Sequence, residues 1–554
     1  MLKKIFFTLI IFLYHSNLYS SLNVDKFNQK YLSNYFSGLV SYNNNENNKA
    51  LKFFNSSKKL LSTHESIFIK YIYSLVENDQ ITKAISETEK AKLNTNFNFF
   101  EANILSYVDN IEKRDFIAAK SNISDIESSL KNDNFEIVIS ESLKSFTDLF
   151  LNKKIVKPNK DFGQLSDINS AFQKCYIEPD SSNNHFTNLI NQENGDYSRY
   201  LFFYLINNSK TNKKEASAIV STIDHLNSNI LISQSKKWIE NNKFYKFSEF
   251  FSCASEKDIL SEFFYIIGNL YSSQDLFIKS NFFLKLSNFL NSKFYFNNTL
   301  IAENYFYIKN YDKSLSTLKK INQDDKIYNW YKIKKKAQII EIKEGQQASI
   351  RFIENKIKNY KNPDFKIYYD LANIYKSFEE YEKSIKFYNL ALSNIDKSFT
   401  SYGDILYRRG SSYERLKKYE KSDEDLLNSL RVNPNDPYVL NYLAYSWLER
   451  NYKIDEAIEM LLIAYKEKKD DAFIIDSLGW SYYLTEDYKL AESYIRKALQ
   501  IRPYDPVIMD HYGDILWKSG QKLQARYFWK NAIRINNSNI NKEDIKNKLL
   551  LGLN

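Results

Sequence analysis

Two stretches near the C-terminus decide how this chain folds: Gly479–Pro503, GWSYYLTEDYKLAESYIRKALQIRP, and Gly513–Ile535, GDILWKSGQKLQARYFWKNAIRI. Aligned on their glycines they place Ala491 over Ala525, Ile495 over Trp529 and Ala498 over Ala532, each pair 34 residues apart. Inside each stretch the order is Gly, a bulky residue three later, Ala after twelve, a large apolar residue after sixteen and Ala after nineteen. Small residues at fixed points on two successive helices let the helices approach closely, and the large residues fill the groove between them. A fixed period of this length marks stacked helical units that cannot bury their apolar faces alone. Pro437 and Pro506 stand where the next first helix should begin, since Pro is pre-organised for a first helical turn.

The frame extends upstream. It runs through Gly410, Tyr413, Ser422 and Leu426, closing at Pro434, and through Ala444, Trp447, Ala457, Leu461 and Ala464 with one residue inserted. Ala372, Tyr375, Ser384, Tyr388 and Ala391 form a further unit, whereas Ala348 and Phe352 keep half of the pattern. Gly268 with Tyr271 and Ala302 with Tyr305 stand 34 apart, as do Ser280 and Ser314. At the N-terminus Gly38, Ala50 and Phe54 fit, and Ala84 and Ala118 continue at 34-residue steps.

Gly479, Tyr482, Ala491, Ile495 and Ala498, closed by Pro503, resemble the signature of the tetratricopeptide-repeat (TPR) family. The resemblance is strongest over 365–535, weaker over 262–360 and weakest over 30–130. It implies an all-α chain, a right-handed α-α superhelix or TPR solenoid of stacked helical hairpins, with a divergent helical middle region. The predicted organisation is a leader over 1–20, degenerate TPR-like helices over 21–130, the divergent region over 131–255, degenerate TPR-like repeats over 256–360, well-formed repeats over 361–537 and a capping helix over 538–554. The cap rests on Ile545, Leu549 and Leu550, an amphipathic set suited to covering the last repeat.

No frame is placed between 130 and 255. The stretch with Lys157, Pro158, Asn159 and Gly163 and the polar run from Pro179 to Asn184 read as loops, while Tyr200 to Ile206 and Ala216 to Leu226 are apolar at helical spacing. Divergent hairpins continuing the array and a separate small helical domain both satisfy that pattern.

Composition agrees with helices. With 43% hydrophobic residues, 43 Tyr and 40 Phe the chain has ample apolar surface to fold, and 11 Gly and 7 Pro are too few for many β-hairpins. The formal net charge of +10 is dispersed among alternating Lys, Glu and Asp, which argues against a nucleic-acid partner. Lys3 and Lys4, the apolar run Ile5 to Tyr14, and Leu18, Tyr19 and Ser20 follow the order of a secretory signal cleaved near Ser20. The apolar run of about ten residues is half of what a membrane-spanning helix needs, so a soluble exported protein in the periplasm or envelope is predicted. Cys175 and Cys253 could pair in an oxidising compartment or stay as buried thiols, and both readings remain open.

Catalytic chemistry finds no support. The five His residues, His15, His64, His185, His225 and His511, are far apart in sequence, and no HExxH, Walker loop, GxGxxG or GxSxG occurs. Asp510 and His511 are neighbours on one helix and point to different sides. No enzyme activity, cofactor or metal is predicted. The TPR resemblance implies that the first helix of each hairpin lines a concave face holding a protein or peptide partner. By that geometry Tyr445, Trp480, Tyr483 and Trp517 line the groove with Asn441, Asp476, Asp510 and Asp514. Aromatics at helical spacing also serve as inter-repeat core, and both roles stay open for Trp480 and Trp517. The clamp by which some TPR domains hold a chain-terminal carboxylate is not expected, because Asn373 matches its pattern while Tyr369, Ser411 and Tyr445 do not. A scaffold or adaptor in the bacterial envelope is the function these readings imply. The alternative is a structural subunit of an envelope machine for export, polysaccharide or cell-wall assembly.

Overall fold

Small residues midway along one helix set the spacing to the next. A Cβ added to Gly479 would stand 2.7 Å from Ile495, one on Gly410 3.1 Å from Leu426, one on Gly268 2.6 Å from Leu284 and one on Gly38 2.7 Å from Phe54. In each case the contact falls on the residue sixteen positions later, so the same helix-on-helix packing recurs along the chain. The computed structural model describes residues 29–553, apart from 62, 132, 157–159, 180–182, 191–197, 224–225, 227–228, 322–325, 359, 361–362 and 536–539. The expected leader over 1–20, with His15, and also His225 and the loop residues Lys157, Pro158 and Asn159, lie outside the described residues. Among the described residues the regular elements are helical and no strand occurs.

The chain divides into two compact units, residues 1–223 with 228–353, and residues 224–227 with 354–554. In the N-terminal unit, hairpins form from Gln29–Asn43 and Asn47–Ser56, Glu65–Glu77 and Ile81–Asn94, and Phe100–Glu112 and Phe116–Ser128. Each turns through a residue with positive φ, Asn45, Asp79 and Arg114. The 35-residue step from Asp79 to Arg114 moves the frame by one, so Ala119, fully buried, takes the place expected for Ala118. The same slip occurs later. Ser349 donates from its hydroxyl to the Ala337 carbonyl at 3.0 Å, as Ser314 does to Ala302 and Ser280 to Gly268, so Ser349 and the buried Ile353 replace Ala348 and Phe352.

These first hairpins pack against helices Glu256–Ser272 and Phe277–Leu290 of the same unit. Tyr73 of the second hairpin meets Phe282 with ring centroids 5.1 Å apart, and on the helix that follows, Asn134–Asn152, Phe135 meets Tyr271 at 5.0 Å and Phe146 meets Phe263 at 5.7 Å. Charges follow the rings: Glu77 accepts from Tyr305 at 2.5 Å and Lys313 at 3.4 Å, Asp79 holds Lys285 and Lys320, and Glu256 holds Arg114 at 3.0 Å.

The middle region is helical too, with Gln164–Ile177, Asn183–Ile190, Ser198–Thr211, Lys213–Thr222, Ile230–Glu240 and Tyr245–Phe250. Phe172, Phe202, Phe203 and Phe251 join one apolar core that also contains Phe146 and Phe263, so this segment is part of the N-terminal unit and not a separate domain. Arg199 donates to Glu262 at 2.7 and 2.8 Å and to Asn297 at 3.0 Å, with its guanidinium 3.6 Å from the Tyr265 ring centre. Cys175 and Cys253 form a disulfide, Cα atoms 5.5 Å apart across 78 residues of sequence.

The C-terminal unit is a run of hairpins: α1 (Phe365–Ser377) and α2 (Tyr381–Leu392), α3 (Thr400–Arg415) and α4 (Tyr419–Val432), α5 (Pro437–Glu449) and α6 (Ile454–Glu467), α7 (Ala472–Leu484) and α8 (Tyr488–Ile501), α9 (Pro506–Lys518) and α10 (Lys522–Arg534), then α11 (Lys542–Leu551). Asp364, Asp436, Asp471 and Asp505 cap the first helices α1, α5, α7 and α9 by accepting backbone N–H bonds, and Pro437 and Pro506 open α5 and α9. Ala372, Ala391, Ala444, Ala457, Ala464, Ala491, Ala498, Ala525 and Ala532 have no exposed surface, which is what close helix approach demands of them. Hairpin turns again pass through positive φ at Glu379, Lys417, Asn451, Glu486 and Gly520, 34 to 38 residues apart.

Candidate functional site

The period that stacks the hairpins also sets the first helices α3, α5, α7 and α9 in succession, so residues one repeat apart meet along one face. Four contacts of that kind run along it. Glu414 accepts from the Tyr442 hydroxyl at 3.0 Å, Glu449 from Trp480 Nε1 at 3.2 Å, both Asp476 oxygens lie 3.0 Å from His511 Nδ1, and Asp510 and Asp514 accept from Lys548 at 3.0 and 2.8 Å. Each first helix thus offers an acid that the following element answers.

Between α3 and α9 this face opens into a cavity of about 500 Å³. Glu414 and Arg415 of α3, Asn441, Tyr445 and Glu449 of α5, and Phe473 and Asp476 of α7 line it. Three of the residues expected in a groove, Asn441, Tyr445 and Asp476, therefore come together here. Asn441 Oδ1 is buried and has no hydrogen-bond partner. A buried acceptor left open costs on the order of 1–3 kcal/mol. Burial raises the Tyr445 phenol far above its usual range, with the charges of Glu449 and Asp476 adding to it, so the hydroxyl stays a donor.

Trp480 and Tyr483 flank this cavity and do not line it. Trp480 is half-buried, stacked on Tyr483 with centroids 4.6 Å apart and on His511 at 4.2 Å. Burial lowers the affinity of His511 for its second proton, but the carboxylates of Asp476, Asp510 and Asp514 outweigh it and raise the pKa. Trp480 accordingly covers a buried ion pair. Burial and the charge of Asp514 push Tyr483 up to about 12.

Asp510, Asp514 and Trp517 are taken by the C-terminal helix. Lys548 of α11 bridges the two carboxylates, Trp529 Nε1 donates to Asp514 at 2.9 Å, and Trp517 Nε1 donates to the Leu553 carbonyl at 2.9 Å. Trp517 also packs on Trp529 at 5.5 Å. Burial beside Asp510 raises Asp514 to about 6 in spite of Lys548. The last repeat's face is thus filled by its own cap, and the open stretch lies upstream of it.

At the other end of the face stand groups that the sequence reading did not single out. Lys376 of α1 donates to the Ser411 hydroxyl of α3, and the Arg408 guanidinium lies 5.6 Å from the Tyr369 ring centre. Burial, with Arg408 and Arg415 nearby, pulls Lys376 down to about 8. Lys376 stands three residues after Asn373, one helical turn further along the inward face, and that spacing was the signal available. Among the described residues no three His, Cys, Asp or Glu side chains assemble into a metal-holding group, and no helix is long and apolar enough to cross a membrane.

The tetratricopeptide-repeat family profile matches residues 365–395, 403–436 and 476–505. A TPR repeat-containing protein of Pseudomonas aeruginosa is 33% identical over 111 residues, 20% of this chain and 19% of the relative. One from Methanocaldococcus jannaschii is 24% identical over 221 residues, 32% of this chain and 38% of the relative. The match thus spans well under half of either relative's length. Among solved structures, a tetratricopeptide repeat protein from Parabacteroides merdae aligns with TM-score 0.37 and 19% identity over 47% of this chain and 99% of that one. The matched segments coincide with α1–α2, α3–α4 and α7–α8, and the chain therefore carries tetratricopeptide repeats in a helical solenoid.

Proposed function

We propose that this protein is a non-catalytic scaffold that holds an extended segment of a partner protein along the face formed by α3, α5 and α7. The observation that carries the reading is the cavity of about 500 Å³ on this face, lined by Asn441, Tyr445 and Phe473 and open to the outside. The Asn441 side-chain amide is of the kind that pairs with peptide backbone, while Tyr445 and Phe473 supply apolar contact area at low ordering cost. Rigid repeats pre-organise these groups. The test is selection of a random dodecapeptide library displayed on phage against the full chain. Recovered peptides should bind the Asn441→Ala and Tyr445→Ala variants at least about tenfold more weakly, with melting temperatures kept. Unchanged binding to both variants would sink the proposal.

The site of action we propose is an oxidising compartment, the bacterial periplasm or envelope. What supports this is the Cys175–Cys253 pairing, since disulfides persist in oxidising compartments and are rare in the cytosol. Maleimide labelling of protein denatured straight from cells, with and without reductant, is the check: labelling of both thiols before reduction contradicts it. The second reading, a structural subunit of an envelope assembly machine, draws on Leu32, Phe36 and Val40, exposed at four-residue spacing on one helix. A stable complex that survives Asn441→Ala but not Phe36→Asp would favour it.

A further inference from the structure

The two ends of the repeat face differ in how their charges are met. Toward α9 each named carboxylate has an internal cation: His511 for Asp476, and Lys548 for Asp510 and Asp514. Toward α1 stand the cations Lys376, Arg408 and Arg415, with the carboxylates of Asp370 and Asp404 near Tyr369 and that of Glu414 near Lys376. Among the described residues neither Lys376 nor Arg408 forms an ion pair, and Arg408 Nε is buried without a hydrogen-bond partner. Arg415 reaches only its neighbour Glu414, at 3.8 Å, and Glu414 already accepts from Tyr442. The cost of this crowding is visible in the Lys376 amine, which burial, Arg408 and Arg415 depress to about 8 against the pull of Glu414.

We infer that Lys376, Arg408 and Arg415 form a subsite for an aspartate or glutamate side chain of the partner segment, whose backbone then continues into the cavity at Asn441 and Tyr445. This rests on the peptide-binding reading of that cavity. A guanidinium presents a planar fork of N–H donors matched to a carboxylate, and a half-buried carboxylate–guanidinium bond is stronger than one in open water. The neighbouring acids decide which anion fits. Glu414 and Glu449 line the adjoining cavity, so a polyphosphate or nucleic-acid backbone would carry its next charges against them, whereas one carboxylate followed by neutral or basic residues would not.

The test uses the full chain and the dodecapeptides recovered from the random library. Each binder that loses affinity for Tyr445→Ala is resynthesised with its Asp and Glu residues changed singly to Asn and Gln. One such change should weaken binding about tenfold, and Lys376→Met and Arg408→Gln should each weaken the acidic peptide by about as much while leaving the amide peptide unaffected. Removing a buried charge is not expected to unfold the protein, and a thermal melt of each variant checks this. Binders that lack acidic residues, or acidic binders indifferent to both variants, overturn the subsite while leaving the groove reading in place. Peptides indifferent to Asn441→Ala and Tyr445→Ala overturn the groove reading itself. Displacement of the acidic peptides by inorganic phosphate at concentrations where acetate is inert would reassign the subsite to phosphate and also overturn the inference.

Discussion

The N-terminal and C-terminal units use the same hairpin and differ in where the partners of its charged groups come from. In the N-terminal unit Glu77 and Asp79, at the turn of the second hairpin, are taken by Tyr305, Lys313, Lys285 and Lys320 from more than two hundred residues later in the chain. In the C-terminal unit α7 and α9 are matched internally, but Lys376, Arg408 and Asn441 are left with bonds to make. The residue types are alike on both faces. Buried polar atoms without a partner occur in both units, Glu77 Oε1 and Asn103 Oδ1 in the first and Arg408 Nε and Asn441 Oδ1 in the second, so satisfaction alone does not separate them. What sets Asn441 apart is that its side chain lines a cavity open to the outside.

The largest expected effect probes the closed unit. Arg199→Met leaves Glu262, which is almost wholly buried, without its two bonds, and should cost about 3–5 kcal/mol, read by urea unfolding and by faster hydrogen exchange over Ser198–Thr211 and Glu256–Ser272. Adding Glu262→Leu should restore most of it, because an apolar pair needs no desolvated charge. A loss below about 1 kcal/mol would show that the aromatic core, and not polar matching, closes this unit.

Next comes the repeat packing of the open unit. A Cβ on Gly513 would stand 2.3 Å from Trp529 Nε1 and 2.4 Å from its Cδ1, and that ring is fully buried and tied to Asp514. Gly513→Ala should therefore cost about 1–3 kcal/mol even though Ala favours helix by about 1 kcal/mol over Gly. Ala491→Leu and Ala525→Leu should fall in the same range, and equal melting temperatures for these variants and an exposed Lys→Leu control would refute the packing account.

How much of this was readable in the sequence follows from the same residues. Gly479, Gly513, Ala491 and Ala525 announce themselves because only small side chains fit there and the spacing repeats. The slip from Ala118 to Ala119 was hidden because the longer step to the turn at Arg114 carries no glycine signal, and that from Ala348 to Ser349 follows the 36-residue step between the turns at Lys309 and Gly345, which departs from the period. Closure of the N-terminal unit depends on pairs such as Lys285–Asp79, far apart in sequence, and no local pattern encodes them. Of the expected groove, Asn441, Tyr445 and Asp476 were legible from the period. Asp510, Asp514 and Trp517 carry the same pattern, but the side chain that claims two of them, Lys548, belongs to a cap whose register the period does not set.

Lys376 should make the open unit's stability depend on pH. Its folded pKa, about 8, lies below the ordinary value of 10.5. Below pH 8 both states hold the proton and the fold bears the full cost of a confined charge. As pH rises from 8 toward 10.5 the folded state releases its proton first and the cost fades. Lys376→Met should thus stabilise the unit by about 1–3 kcal/mol at pH 7, allowing for partial exposure, and by almost nothing at pH 10.5. Parallel stability profiles of the two proteins between pH 7 and 10.5 would show that the amine is not confined.

The smallest expected effect sets the two units against each other at one backbone position. Lys417 and Glu486 turn hairpins of the C-terminal unit at φ 58° and 63°, Arg114 turns one of the N-terminal unit at 58°, and a Cβ at such angles crowds the following carbonyl. Lys417 and Glu486 are exposed and make no side-chain hydrogen bond or ion pair among the described residues, so replacing either by Gly relieves that crowding. Gly is freer in the unfolded chain, which offsets part of the gain, and about 0.5–1 kcal/mol of added stability should remain. Arg114 has the same backbone conformation but donates to both oxygens of Glu256 at 3.0 and 3.1 Å, and Glu256 is buried. Arg114→Gly should therefore lose stability, because Glu256, left with the Tyr176 hydroxyl at 2.7 Å and Lys153 at 3.7 Å, loses more than the turn gains. Opposite signs for the two kinds of turn, measured by urea unfolding of the full chain, would confirm that the units share a backbone repeat and differ in how their polar groups are spent. A gain at Arg114 equal to that at Lys417 would show that the bridge to Glu256 holds nothing, and would take away much of the case for a closed N-terminal face.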